Sequence, residues 1–451
     1  MLGLLLVYYG VLVGSVLAGP GFSGKTEVSA YFASYNMLPS EVPYSRYTHL
    51  NYFVFETTAE PTSLSRAGIS SSVVTDFVTR AHAAKIKVSY TVGGWTGSKG
   101  LDGHPVVRVL DHVIDPFESF LTFPHPANLR STRLARGTLP PHLSHSAACR
   151  RALSSAPRRY FSQHASNSRT VFAQTLVNTM NQYGFDGIDL DWEFPGVQGI
   201  GDNLVQKRDS DNLLRLLQTI RKSAPSARIS LAVPATGLQG PNGPLNDLTS
   251  WLPSFDYLTI MTYNIFGTWG STTGPNSPLS SSCAPSDIPY SIESSVKHYK
   301  SLKVPANRIL LGFPSYSYAY TVDYGLLPKK CPDGSTSYAY QPKSTTTTCG
   351  NWIGTPTPNQ YTYRELSDQG YLTPLGSSGF NFSVVDRASQ TRVIYNPSTK
   401  VLVETEDPTT ARVKGTWIKN QGLAGVNMFD LKGDDTKASL ITAVRRGLGL
   451  R

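Results

Sequence analysis

The 451 residues suffice for one large α/β domain with an insertion or for two ordinary domains, and their aromatic share of 11% puts a buried core beyond question. A net charge of +10 raises nucleic acid as a partner, but the basic residues are scattered and no run of five or more Lys/Arg occurs, so no nucleic-acid binding is expected. Four cysteines, Cys149, Cys283, Cys331 and Cys349, are compatible with an oxidising compartment, too few for a disulfide-built fold, and spaced unlike any zinc site. Three pairings of the four are open.

In chain order, residues 2–18 are apolar and short and end in Val16-Leu17-Ala18 before Gly19-Pro20, which reads as a signal peptide over 1–18. A membrane anchor is the alternative, disfavoured because spanning takes about 20 apolar residues. The expectation is a secreted, extracellular protein with no membrane partner once the signal is cleaved. Asn381-Phe382-Ser383, which fits the glycosylation sequon, agrees with it. Eight β-rich runs follow: Val28 to Tyr35, Thr48 to Phe55, Lys87 to Val92, Gly187 to Glu193, Arg228 to Pro234, Asp256 to Tyr263, Ile309 to Tyr316 and Ala424 to Phe429. Helical spacing lies between them over Ser70 to Lys85, Ser166 to Tyr183, Asp209 to Lys222 and Ile292 to Leu302, with a short helix near Leu248 and a last one over Lys437 to Arg446. This alternation predicts an α/β fold, a (β/α)8 TIM barrel built from 19–318 and 409–451. Residues 319–408, rich in Thr, Ser, Pro, Gly and Tyr, predict a small α+β insertion between strand 7 and helix 7. Residues 100–158 break the rhythm with seven Arg, no Lys, five of the nine His and seven Pro. A structureless loop that long is unusual inside a compact domain.

The stretch Gly184 to Pro195 sets four acidic residues, Asp186, Asp189, Asp191 and Glu193, into an apolar, aromatic run. As a strand, its period of two puts Asp189, Asp191 and Glu193 on one face, roughly 7 Å apart, opposite Ile188, Leu190 and Trp192. Neighbouring carboxylates in a partly buried place share protons, so at least one pKa is raised and one acid stays protonated near neutral pH. A polar strand edge does not explain the apolar opposite face, and the layout of a calcium loop is absent. A catalytic cluster is the better reading, and Glu193, Tyr263 and Gly93-Gly94 all fall at strand C-terminal ends, where barrels carry their chemistry.

Asp186 to Glu193 (DGIDLDWE) resembles the signature of glycoside hydrolase family 18, the chitinases. Thr91-Val92-Gly93-Gly94-Trp95 is similar to the family's S-x-G-G motif, and Met261-Thr262-Tyr263-Asn264 to its M-x-Y-D. The resemblance runs from about Val28 to the C-terminus and is closest to secreted fungal members. It implies a substrate-assisted, retaining hydrolysis of β-1,4-linked N-acetylglucosamine polymers. Glu193 would be general acid and then base, Asp191 would orient the acetamido group, Asp189 would share a proton with Asp191, and Tyr263 would donate to the acetamido oxygen. Asp186, off the odd-numbered face, is assigned structural support. Substrate binding is assigned to Gly94, Asn264 and the aromatic residues Trp95, Trp269 and Phe429, because sugar rings present apolar C–H faces. No cofactor and no metal are expected, and the partner would be chitin or chito-oligosaccharides met by a monomer.

Three features depart from the family pattern. Phe429 stands where a Trp is usual, Tyr316-Ser317-Tyr318 where Tyr-Gly-Arg is common, and Asn264 where Asp is usual. The missing charge at Asn264 is expected to raise the pKa of Glu193 and to give an acidic optimum. Residues 100–158 have no counterpart, and Trp95 to Lys99 would join Tyr160-Phe161-Ser162 smoothly without them; a retained intron is the favoured reading over a basic flap or a disordered loop. Without Cys149, Cys283 with Cys349 is the preferred bridge. Two rival functions are an endo-β-N-acetylglucosaminidase acting on N-glycans and a non-hydrolytic chitin-binding lectin on the same fold.

Overall fold

The computed structural model describes residues 23–58, 60–98, 166–199, 205–323, 325–344, 359–372 and 382–451. The expected signal peptide, the segment 100–158, Cys149, Cys349 and the sequon's Asn381 lie outside them. Eight parallel strands close into a barrel: β1 (Glu27–Ala33), β2 (His49–Thr57), β3 (Lys87–Gly93), β4 (Gly187–Asp191), β5 (Arg228–Pro234), β6 (Tyr257–Met261), β7 (Ile309–Pro314) and β8 (Gly425–Phe429). Each pairs with its neighbour in sequence order, and β1 pairs with both β2 and β8, which leaves no open edge.

Alternation along each strand sorts the side chains. Val28, Leu50, Val88, Ile188, Leu190, Ile229, Leu231, Ile260, Leu311 and Val426 point outward and are buried in the main core, under the helices α1 (Ser71–Ala83), α2 (Ser166–Tyr183), α3 (Asp209–Ser223), α4 (Ile292–Ser301), α5 (Pro408–Asn420) and α6 (Ser439–Leu448). Full burial of each such aliphatic side chain contributes about 1.5–3 kcal/mol. The inward face is polar instead. Asn427 on β8, for example, donates to Thr259 Oγ1 on β6 at 3.2 Å, across the lumen past β7. After β1 and β5 the connections carry 3-10 turns, Pro39–Glu41 with Tyr44–Arg46 and Thr249–Ser254, in place of α-helices.

The seventh β-rich run divides where the sequence suggested continuity. β7 ends at Pro314, Ser315 bonds across to the backbone oxygens of Phe429 and Asp430, and a new strand starts at Tyr316. That strand, Tyr316–Thr321, pairs antiparallel with Gln360–Thr362 and Val401–Thr405, and Thr391–Asn396 and Phe382–Asp386 complete a five-stranded sheet. Ala319, Tyr361, Leu366, Ile394, Val401 and Val403 form its own small core. On the opposite face of the first strand, Tyr316, Tyr318 and Tyr320 stand in a row at period two and pack with Tyr263, Trp269 and Phe429.

The disulfide differs from the expected one. Cys283 is bonded to Cys331, not to Cys349, with a Cα–Cα distance of 4.8 Å. Both sulfurs lie in one apolar cluster with Ile265, Phe266 and Tyr340, which ties the β6–α4 connection to the insertion. Spacing alone does not reveal that shared cluster.

Candidate active site

Strand register assembles the acids. Thr91 on β3 and Ser230 on β5 stand on either side of Asp189 on β4. Thr91 Oγ1 donates to Asp189 Oδ2 at 3.0 Å and Ser230 Oγ to Oδ1 at 2.5 Å, so both oxygens of this fully buried carboxylate accept a hydroxyl bond. Burial raises the Asp189 pKa, and the donors and the Arg228 charge oppose that rise. Asp191, two residues up the same face and 5% exposed, has an Oδ1 with no hydrogen-bond partner among the described residues. Burial, then the charges of Glu193 and Asp189, push its pKa well above the carboxylate range.

β4 ends at Asp191, two residues before the strand end that the sequence suggested, and Glu193 lies in the turn beyond it. Ser98 holds that turn: its hydroxyl accepts from Glu193 N at 3.0 Å and donates to Asp191 O at 3.3 Å. Glu193 is half-buried, and burial raises its pKa to about 8. A carboxylic acid is thereby kept protonated through neutral pH. Tyr263, just past β6, has its phenol pKa raised by burial and then by the charges of Asp191, Glu193 and Asp189. A side chain at Gly312 on β7 would meet the Tyr263 ring at 3.0 Å and the Ile260 carbonyl at 2.4 Å, so glycine there admits the ring. Tyr31 on β1 also faces the acids, since the charges of Asp189 and Asp191 help to raise its pKa after burial.

The aromatic candidates gather at the same mouth. Phe429 is half-buried between Tyr31 and Phe53, with ring centroids 5.5 and 5.3 Å away, and stands 6.0 Å from Tyr263 and 6.3 Å from Tyr316. Trp269 meets Tyr318 edge-on at 5.4 Å. Trp95 follows Gly93 and Gly94, whose φ values of 112° and 77° suit glycine, and its ring lies 6.4 Å from Phe194. Asp186 sits at the other end of β4, accepting from Lys87 Nζ at 2.6 Å, His82 Nε2 at 2.9 Å and Val88 N at 2.9 Å. Its pKa is lowered because those donors outweigh burial.

Two of the departures from the family pattern prove to be one contact. Asn264 Oδ1 accepts from Tyr316 OH at 2.7 Å and from Tyr318 OH at 2.9 Å. Asn276, which sequence reasoning missed, fixes the unit: its Oδ1 accepts from Asn264 N at 2.6 Å and its Nδ2 donates to Tyr316 O at 2.8 Å. Ser230, Ser98, Tyr31 and Asn276 carried no motif. The tyrosine row did carry a signal, the period-two repeat at 316, 318 and 320.

The geometry can be set beside known proteins. The chain is 29% identical to a "chitinase-like effector" of Moniliophthora roreri over 96% of both chains. It is 28% identical to "Chitinase 1" of Aphanocladium album over 62% of this chain and 60% of the relative. A crystal structure of a chitinase from Rhizomucor miehei superposes with a TM-score of 0.71 at 23% identity, covering 94% of this chain and 100% of that one, which shows the fold. The model of glycosyl hydrolases family 18 matches residues 154–434, more than half of the chain, and the chain belongs to that family.

Proposed function

We propose that this protein is a chitinase, hydrolysing β-1,4-linked N-acetylglucosamine polymers by substrate-assisted, retaining catalysis. The observation that carries the reading is the pairing of a Glu193 held protonated to about pH 8 with a buried Asp191 whose Oδ1 has no partner among the described residues. Glu193 gives its proton to the glycosidic oxygen as the C–O bond breaks. The acetamido carbonyl oxygen of the substrate attacks the anomeric carbon, and Asp191 accepts from the acetamido N–H as positive charge grows there. Tyr263 donates to the acetamido oxygen. Glu193, now a carboxylate, takes a proton from water, which opens the oxazolinium ring and returns the sugar with its configuration retained. The apolar start of the chain and the Cys283–Cys331 bridge support a secreted protein working in an oxidising compartment.

Proton NMR of freshly cleaved chitotetraose tests the mechanism. The β-anomer should appear first, and the fully deacetylated tetramer should not be cleaved. An α-anomer first, or equal cleavage of the deacetylated tetramer, contradicts it. A second reading, a chitin-binding protein without hydrolysis, is favoured by one observation: the relative matched along nearly the whole chain bears the name "chitinase-like effector".

A further inference from the structure

The lumen below the acids holds charge that the reaction does not touch. Arg228 on β5 is 7% exposed, lies 3.4 Å from Glu27 of β1 and stacks 4.0 Å over the Tyr257 ring. Glu27, 4% exposed, also accepts from Ser23 Oγ at 2.7 Å, Thr48 Oγ1 at 2.9 Å and Tyr257 OH at 3.2 Å. Desolvation offsets most of what a buried ion pair contributes to stability, so stability alone is a weak reason for one here. Its placement suggests another. Arg228 and Ser230 share the inward face of β5, and Ser230 makes the 2.5 Å bond to Asp189. Opposite Arg228 in register stands Gly187, where a Cβ would lie 2.8 Å from that of Arg228, so β4 places no side chain in the space below Asp189.

We propose that Arg228 is a positioning residue for the reaction, its buried cation holding Asp189 ionised and so assigning the proton shared by the two aspartates to Asp191. The proposal rests on the hydrolytic reading above. Both oxygens of Asp189 accept from hydroxyl donors, whereas Asp191 Oδ1 has no hydrogen-bond partner among the described residues. The other groups lining the lumen do not supply the charge. Tyr31, Tyr257 and Tyr263 have raised phenol pKa values, and His49 from β2, lowered by burial and then by Arg228, is neutral. Glu27, Asp191 and Glu193 are themselves acids. The Arg228 charge counts among the effects that lower the Asp189 pKa.

The test is the pH profile of kcat/KM on a chito-oligosaccharide, with carboxyl 13C NMR titration of the same variants. Arg228→Gln should move the acid limb up by about one unit, and Glu27→Gln, which leaves the cation uncompensated, should move it down. Arg228→Lys should restore the wild-type limb. A merely structural role would lower the melting temperature and activity in both variants without opposite displacements. Shifts of the same sign, or none, overturn the proposal. If Arg228→Gln does not melt cooperatively, the direction found in Glu27→Gln decides. If the wild type hydrolyses nothing, the hydrolytic reading fails, and the sign of the aspartate titration shifts still decides this one.

Discussion

Two acids buried in the same barrel lumen are driven in opposite directions. Glu27, at the floor, has its pKa lowered: burial would raise it, but Arg228 and three hydroxyl donors prevail. Asp191, at the mouth, has no partner on Oδ1 among the described residues and two acidic neighbours, and its pKa is raised. Burial is common to both, so the sign of the neighbouring charge, together with the supply of donors, is what sets the two carboxylates apart. An unsatisfied buried oxygen costs about 1–3 kcal/mol unless a ligand or water meets it, and on the proposed reading the substrate N–H is what meets Asp191.

The comparison is broken most severely at the mouth. On the proposed mechanism, Asp191→Asn should lower kcat on chito-oligosaccharides about 10²- to 10³-fold, read from initial rates, because it would remove the group that stabilises the developing charge. At the floor the loss should be in stability. Glu27→Ala strands Arg228 and should cost about 3–5 kcal/mol in denaturant unfolding, with a far smaller effect on turnover.

The pH dependence of stability separates the two regions further. The pKa of Glu193 rises from about 4.3 unfolded to about 8 folded, so the folded state binds the proton more tightly. Stability from this group is therefore full below about pH 4 and is lost as pH rises through about 8. Glu193→Gln does not titrate, so the melting temperature of the variant relative to wild type should increase from pH 5 to pH 9. Glu27 runs the other way: its stabilisation is present above the unfolded value of about 4.3 and is lost as pH falls through its lowered folded pKa.

The smallest effect is expected at the tyrosine wall. Burial holds Glu193 protonated to about pH 8, and the missing charge at Asn264 should lower that value rather than raise it, because removing an anion lowers a neighbouring acid's pKa. Asn264→Asp should add an anion, raise the Glu193 pKa and move the alkaline limb of kcat/KM up by a few tenths of a unit to about one unit.

Much of this was legible in sequence because the barrel obliges side chains to alternate. Ile188 and Leu190 against Asp189 and Asp191 announced one face toward helices and one toward a lumen. The break at Ser315 was hidden because the β-rich run Ile309 to Tyr316 passes straight through it, and only the return bonds to Phe429 and Asp430 mark the end of β7 there. Ser230, Ser98 and Asn276 act through contacts 41, 95 and 12 residues away, which no local pattern encodes. The Cys283–Cys331 bond belongs with them, since it is set by a cluster that forms only when the insertion docks.

The central claim is that this family 18 barrel has kept its chemistry at Glu193. The most direct measurement pairs hydrolysis of chitotetraose with calorimetric binding of the same oligomer, for the protein and for Glu193→Gln. The account predicts cleavage by the wild type, a loss of about 10²- to 10⁴-fold in the variant, and binding in both. Two inert proteins that both bind the oligomer would contradict it.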